Sequence, residues 1–176
     1  MSTRYTLNKN KYLLDPEYEH LERTLQFYKY KDPRNCLALL LALKTGGRAQ
    51  EILNLRKNDL NSYDHTVFIK GLKGSDDREI PISDDLFFEL ENYTRPFKDT
   101  DFLFPLGYHR LRQVWCDYRP VKKKFHCLRH TFAIRLYKKT KDLRLLQVAL
   151  GHRNITNTMI YADYVYSQSE LKRLIL

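Results

Sequence analysis

Eight successive apolar residues, Cys36-Leu37-Ala38-Leu39-Leu40-Leu41-Ala42-Leu43, stand between Asp32-Pro33 and Lys44-Thr45-Gly46-Gly47. Asp-Pro places an N-cap residue ahead of a proline suited to the first helical turn, and the glycines end the helix. A helix that is apolar on every face has no side to offer water, so other elements must wrap it. This one segment demands a globular domain built around a largely buried helix.

The rest of the chain supplies the wrapping. Asp15-Pro16-Glu17 gives the same start signal for a helix reaching about Tyr30. Arg48 opens a short helix through Leu55, with Ile52 and Leu53 facing inward. The middle changes character. Residues 66–70 and 78–82 are short and β-rich, with Gly71 and Gly74-Ser75-Asp76-Asp77 between them, which predicts a hairpin or small sheet. A further strand over 60–63 fits in front of it. Ser83 caps a helix to about Tyr93, and Phe102-Leu103-Phe104-Pro105 is an apolar plug of no assigned type. Helices are expected over 108–118, 126–138, 142–150 and 154–161, and in a tail over 165–176. Residues 1–14 are polar and basic without a period and read as a flexible lead or linker end, leaving 15–176 as one domain. The fold class is mainly α with a small antiparallel β-sheet, with no internal repeat and no low-complexity segment.

Composition narrows the function classes. Of the 176 residues 43% are hydrophobic, enough for a core, yet no apolar run approaches a membrane span and residues 1–14 lack the apolar centre of a signal peptide. Thirty-one basic against 21 acidic residues give a net charge of +10, which favours a polyanionic partner, chiefly nucleic acid. Cys36, Cys116 and Cys127 are scattered and odd in number, which argues against a disulfide framework and for a reducing, cytoplasmic setting. His126 and His130 are spaced as two ligands on a helix would be, but no glutamate follows His126 as in HExxH, so no metal is expected.

One ordered set of residues carries chemistry: Arg48, Lys73, His126 with Arg129, then His152 and Tyr161. Two arginines, a lysine and two histidines suit a site that holds a phosphodiester and neutralises its charge, and guanidinium is apt because it binds two oxygens at once and stays charged. A tyrosine close by could attack phosphorus and conserve the bond as a phosphotyrosyl link. His126 and Arg129, three apart, share a helical face, as do Arg48 and Glu51. Taken singly, each has a plainer reading: a turn-capping or solvated arginine, a structural histidine, an i,i+3 surface pair. With 13 tyrosines in the chain, a tyrosine alone means nothing.

Four segments in order make the case. They are Thr45-Gly46-Gly47-Arg48-Ala49-Gln50-Glu51-Ile52, Lys73-Gly74 in the expected hairpin, His126-Cys127-Leu128-Arg129-His130-Thr131, and Leu150-Gly151-His152 with Tyr161 nine positions on. Together they resemble the catalytic domain of the tyrosine recombinases, the integrase and Xer-like strand-exchange enzymes, over residues 45–161. The resemblance implies the DNA breaking-rejoining fold, double-stranded DNA as substrate, and chemistry with neither metal nor cofactor. Arg48 and Arg129 would clamp the non-bridging oxygens, with Glu51 orienting Arg48. His126 would assist proton transfer or bond the phosphate, and His152 would bond the phosphate. Lys73 would protonate the leaving 5′ oxygen. Tyr161 would be the nucleophile, and His130 and Thr131 would support. Lys70 competes with Lys73, but Lys73-Gly74 with Arg78 and Pro81 matches the family's KGxxxRxxP spacing. Tyr164 and Tyr166 are neighbours that the spacing from His152 passes over.

The tail's Val165, Leu171, Leu174 and Ile175 would pack into a neighbouring protomer of a tetramer on DNA, or fold back on their own chain. Full recombinases carry a DNA-clamping domain ahead of the catalytic one, and residues 1–30 are too short for it, which reads as a catalytic fragment or a minimal protein. The origin implied is prokaryotic, viral or from a mobile element, with nucleoid DNA as the partner. A nicking-closing enzyme like type IB topoisomerases shares the chemistry. A non-catalytic DNA-binding protein of the same fold is the reading from another class, and the complete residue set speaks against it.

Overall fold

The computed structural model describes residues 6–72, 74–165 and 168–176, with side chains described outside 168–170. Its centre is the helix demanded by the apolar run, α2 (Pro33–Thr45), in which Cys36 through Leu43 are each no more than 2% exposed. Around it pack α1 (Asp15–Tyr28), α3 (Ala49–Leu53), α4 (Asp84–Thr94), α5 (Tyr108–Tyr118) and α6 (Cys127–Thr140). The wrapping helices are amphipathic: α1 buries Tyr18, Leu21 and Leu25, and α5 buries Leu111, Val114 and Trp115, each a stripe at helical spacing. Among the described residues no helix is long and apolar enough to cross a membrane.

The sheet is three-stranded and antiparallel in the order β1 (Leu60–Asn61), β2 (Thr66–Ile69), β3 (Arg78–Pro81). Its register pairs Leu60 with Val67, Val67 with Ile80 and Ile69 with Arg78. Strand alternation turns Arg78 and Ile80 inward and Glu79 and Pro81 outward. The apolar plug has a definite place: Leu103 and Phe104 are fully buried, and the Leu103 amide donates to the Leu55 carbonyl at 2.8 Å.

Two apolar clusters meet along α6. Cys127 and Leu128 belong to the cluster around α2, whereas Ala133, Ile134 and Tyr137 belong to a second with α7 (Leu143–Leu150) and α8 (Thr156–Val165). Arg129 and His130 fall at the seam between them.

Several boundaries differ from the sequence reading. Helix α3 stops at Leu53, and a 3-10 turn over Lys57–Asp59 follows. The first strand is two residues long, not four. Helix α8 runs past Tyr161 to Val165, the residue expected to open the tail helix, and the tail helix α9 is described over Gln168–Ile175. The largest difference is the expected flexible lead. Over residues 6–14 it is a packed strap: Leu7 and Tyr12 join the second cluster, Leu13 joins the first, the Leu13 amide donates to Thr131 Oγ1 at 2.8 Å, and the Tyr12 and Tyr164 hydroxyls meet at 2.9 Å. Two or three apolar side chains in a polar stretch carry no period, so only their burial reveals them.

Candidate active site

Arg129 is the anchor. Its side chain is 2% exposed, and it lies where two helices end. Nη1 donates to the Gly46 carbonyl and Nη2 to the Leu150 carbonyl, both at 2.7 Å. Gly46 caps α2 and Leu150 is the last residue of α7, so the guanidinium sits at the negative ends of two helix dipoles. Both caps turn through left-handed glycines, Gly46 at φ 64° and Gly151 at φ 66°. Burial, helped by the Arg48 and Arg78 charges, lowers Arg129 to about 9, which still leaves it charged at neutral pH.

Glu51 organises the other cations. Its fully buried carboxylate accepts from Arg78 Nη2 at 2.7 Å, from the Arg48 amide at 2.8 Å and from Arg48 Nη1 at 3.1 Å, and it lies 4.0 Å from Arg129 Nη1. Burial acts to raise this carboxyl, but the hydrogen bonds and charge of Arg78, the Arg48 amide and the charge of Arg129 prevail and hold it below the usual carboxylate range. Three guanidiniums thus surround one carboxylate. Among the described residues two of these positive charges remain without a counter-ion in the cluster, which suits it to an anion.

The histidines differ in what they do. His152 Nε2 lies 3.1 Å from Arg129 Nη2, which can only donate, so Nε2 accepts and Nδ1 carries the proton toward Thr158 Oγ1 at 2.9 Å. Burial, then the charges of Arg129, Arg48 and Arg78, lower His152 to about 4, in keeping with a neutral ring. His126 stands at the N-cap of α6 with its ring 4.7 Å from that of His130. Desolvation by the surrounding protein, with Arg129 and Arg48, pushes His126 down to about 4, although the residue remains exposed to solvent.

Tyr161 sits mid-helix on α8, 2% exposed, with its hydroxyl 2.8 Å from His130 Nδ1. Burial, then His126 and Arg129, lower His130 to about 3. The phenol is therefore next to a neutral imidazole and covered by protein.

Of the sequence-predicted set, Arg48, Glu51, Arg129 and His152 form one bonded network, and His126, His130 and Tyr161 form a chain of contacts beside it. Thr131 does something else: its hydroxyl back-bonds to the Cys127 carbonyl at 2.7 Å and receives the Leu13 amide, so it fastens the strap to α6. Lys73 lies outside the described residues. Three residues were missed as site members. Arg78 was legible as part of the KGxxxRxxP spacing, whereas Thr158 and Ser75 carried no signal, since short hydroxyl residues occur in any loop or helix. Ser75 is 3% exposed and accepts a hydrogen bond from Arg48 Nη1.

A groove of about 750 Å³ is lined by Arg48 and His126 of this cluster together with Arg112, Arg119, Lys122 and Lys124. Tyr108 and Trp115 also contribute to its wall. A basic groove with aromatic walls that includes Arg48 of the cationic cluster has the electrostatic character of a nucleic-acid footprint.

The comparisons with known proteins agree with this geometry. The sequence matches the phage integrase family over residues 17–168, and the chain belongs to that family. A tyrosine recombinase XerA of Pyrococcus horikoshii is 36% identical over 141 residues, covering 73% of this chain and 50% of that protein. A tyrosine recombinase XerC of Staphylococcus aureus is 33% identical over 190 residues, covering 96% of this chain and 62% of that protein. The chain spans about half to six-tenths of the length of these curated relatives. Among solved structures, XerH site-specific recombinase bound to its difH substrate in a pre-cleavage complex superposes with a TM-score of 0.71 at 26% identity, over 98% of this chain and 56% of that one. The catalytic domain of bacteriophage HP1 integrase superposes with a TM-score of 0.66 at 24% identity, over 93% of this chain and 92% of that one, a likeness of fold. The fold is that of tyrosine recombinase catalytic domains.

Proposed function

We propose that this chain is the strand-transferring domain of a site-specific DNA recombinase, one that cuts and rejoins duplex DNA through a 3′-phosphotyrosyl intermediate. The observation that carries this reading is the excess of guanidinium over carboxylate around Glu51, beside a Tyr161–His130 pair whose neighbour His126 lines a basic groove together with Arg48. A phosphodiester in that cluster would supply the missing negative charge. Arg48 and Arg129 would then meet the charge that builds on the non-bridging oxygens during attack. The Tyr161 phenol gives its proton to an imidazole of the His126–His130 pair, its oxygen bonds to phosphorus, and the bond from phosphorus to the 5′ oxygen breaks. The departing 5′ oxygen takes a proton from Lys73, a role that rests on the sequence spacing alone. His152 acts through Arg129, which its ring nitrogen contacts. Because the phenol is covered, attack requires it to leave its place beside His130 when DNA engages.

The same reading extends to assembly and setting. Helix α9 exposes Leu174 and Ile175 at 64% and 75%, an apolar edge suited to a neighbouring protomer in a tetramer on DNA. The site of action is cytoplasmic, on nucleoid or mobile-element DNA. The test is a nicked suicide duplex, from which the cut fragment diffuses away. The wild-type chain should give an SDS-resistant protein–DNA adduct, and Tyr161→Phe should give none while binding DNA as before. An undiminished adduct from Tyr161→Phe, or its loss in Tyr164→Phe instead, refutes the assignment.

A further inference from the structure

The turn between β2 and β3 is bound to the α7–α8 connection along a short seam. Ser75 and His152 form an antiparallel bridge, the Asp76 amide donates to the Gly151 carbonyl at 2.9 Å, and Arg153 Nε donates to Asp76 Oδ1 at 2.9 Å. The seam leaves no room for side chains within it. A Cβ on Gly151 would stand 2.6 Å from the Asp76 carbonyl oxygen, and one on Gly71 would stand 2.3 Å from the Ser75 carbonyl oxygen. The Gly71 amide in turn donates to Asp77 Oδ1 at 2.8 Å, closing the turn on itself. Ser75 lies at the inner end of this seam, 3% exposed, and its hydroxyl accepts from Arg48 Nη1.

Arg48 needs such a partner. A third of its side chain is exposed, and Glu51 takes only one edge of it. A guanidinium on a long, flexible stem, held on one edge, retains rotational freedom that must be lost before it can clamp a phosphate. Ser75 supplies a second, neutral acceptor on the same nitrogen, Nη1, and two acceptors on that nitrogen restrain the guanidinium plane without cancelling its charge. Its backbone is simultaneously paired with that of His152, whose ring contacts Arg129.

We propose that Ser75 is a positioning residue for strand transfer: its hydroxyl orients the Arg48 guanidinium while its paired backbone ties that guanidinium to the His152–Arg129 half of the clamp. The proposal rests on the strand-transfer reading for what the clamp acts upon. A consequence is that the β2–β3 turn belongs to the phosphate site as a strut and acts in catalysis through Arg48.

The experiment compares wild type, Ser75→Ala and Ser75→Thr in two ways. The first needs no DNA. The side-chain N–H resonances of Arg48, assigned by their disappearance in Arg48→Lys, report whether the guanidinium is held. They should be protected from exchange in wild type and Ser75→Thr and lost to exchange in Ser75→Ala. The second is the single-turnover rate of adduct formation with saturating protein on a nicked suicide duplex. Losing a hydrogen bond to a charged group should slow Ser75→Ala by about 10- to 100-fold. Its DNA affinity should stay within about threefold, and Ser75→Thr should retain most of the wild-type rate. A neutral methylphosphonate at the scissile position removes charge that Arg48 balances, so the deficit of Ser75→Ala relative to wild type should shrink there. Wild-type rates and protected Arg48 signals in Ser75→Ala overturn the proposal, as does a deficit equally large on the methylphosphonate. If the Arg48 signals vanish in Ser75→Ala but wild type itself forms no adduct, the hold of Ser75 on Arg48 stands and the strand-transfer reading falls instead.

Discussion

Replacing Glu51 with alanine removes the carboxylate around which Arg48, Arg78 and Arg129 are arranged. The side chain is fully buried, and Arg78, 2% exposed, has it as partner through two nitrogens at 2.7 and 3.3 Å, while Arg78 Nε is buried without a hydrogen-bond partner among the described residues. Breaking a buried ion pair from one side leaves a desolvated charge, which costs about 3–5 kcal/mol. For a domain of this length each kcal/mol moves the melting midpoint by about 2–4 °C, so the midpoint should fall by roughly 6–20 °C. Glu51→Gln keeps the shape and one acceptor and should lose about half as much. Thermal unfolding followed by circular dichroism gives the midpoints of both variants, and urea unfolding gives their free energies. The pH dependence gives a second check. Because the folded carboxyl lies below its ordinary 4.5, its contribution is complete above that value and disappears as pH falls through the folded value. The gap between wild type and Glu51→Ala should therefore narrow in strong acid. Sulfate should recover more stability for Glu51→Ala than for wild type, since the variant has one more uncompensated charge. A loss below about 1 kcal/mol for Glu51→Ala at neutral pH would mean that this carboxylate is not what holds the cluster together.

Gly151→Ala places a Cβ 2.6 Å from the Asp76 carbonyl oxygen at φ 66°. Left-handed strain and the lost seam hydrogen bond should together destabilise by about 2–3 kcal/mol, read by urea melts, and an unchanged midpoint would refute the packing of that seam. His130 is held near 3, below its ordinary 6.5, so the unfolded chain takes up the proton first as pH falls. Its stabilising contribution is whole above 6.5 and declines below it, by about 2 kcal/mol between pH 7 and pH 5; His130→Gln should lack that part of the acid sensitivity, and parallel pH profiles would sink the argument. Lys73→Ala should be badly slowed on ordinary DNA and largely rescued on a 5′-bridging phosphorothiolate, whose thiolate leaves without a proton. Lys70→Ala should be near normal on both, and the opposite pattern would exchange the two lysines.

Much of this molecule is fixed by local chemistry and is therefore legible in the chain. The apolar run at residues 36–43 specifies a buried helix because no rotation of it offers a polar face. Asp-Pro and Gly-Gly mark the ends of α2 because their backbone preferences are intrinsic. The order and spacing of Arg48, His126, Arg129, His152 and Tyr161 singled out residues that the fold brings together, since few residue types suit the holding and attack of a phosphodiester proposed for them.

Tertiary structure decided the rest, for reasons that no local pattern contains. The strap at residues 6–14 packs because Leu7 and Tyr12 find a cluster contributed by α6, α7 and α8, a partner more than a hundred residues away in sequence. Thr131, expected beside the chemistry through its motif, turns instead to the strap, because the side of α6 it occupies faces Leu13. Arg129 remains charged in the interior because the ends of α2 and α7 converge on it, which depends on how two helices cross. Ser75 and Thr158 gain significance only from what stands opposite them, Arg48 in one case and His152 in the other. The sequence therefore determined which groups are available for the proposed reaction. The packing of two apolar clusters along α6 decided which of them touch, which are neutral, and that the phenol of Tyr161 waits covered beside His130.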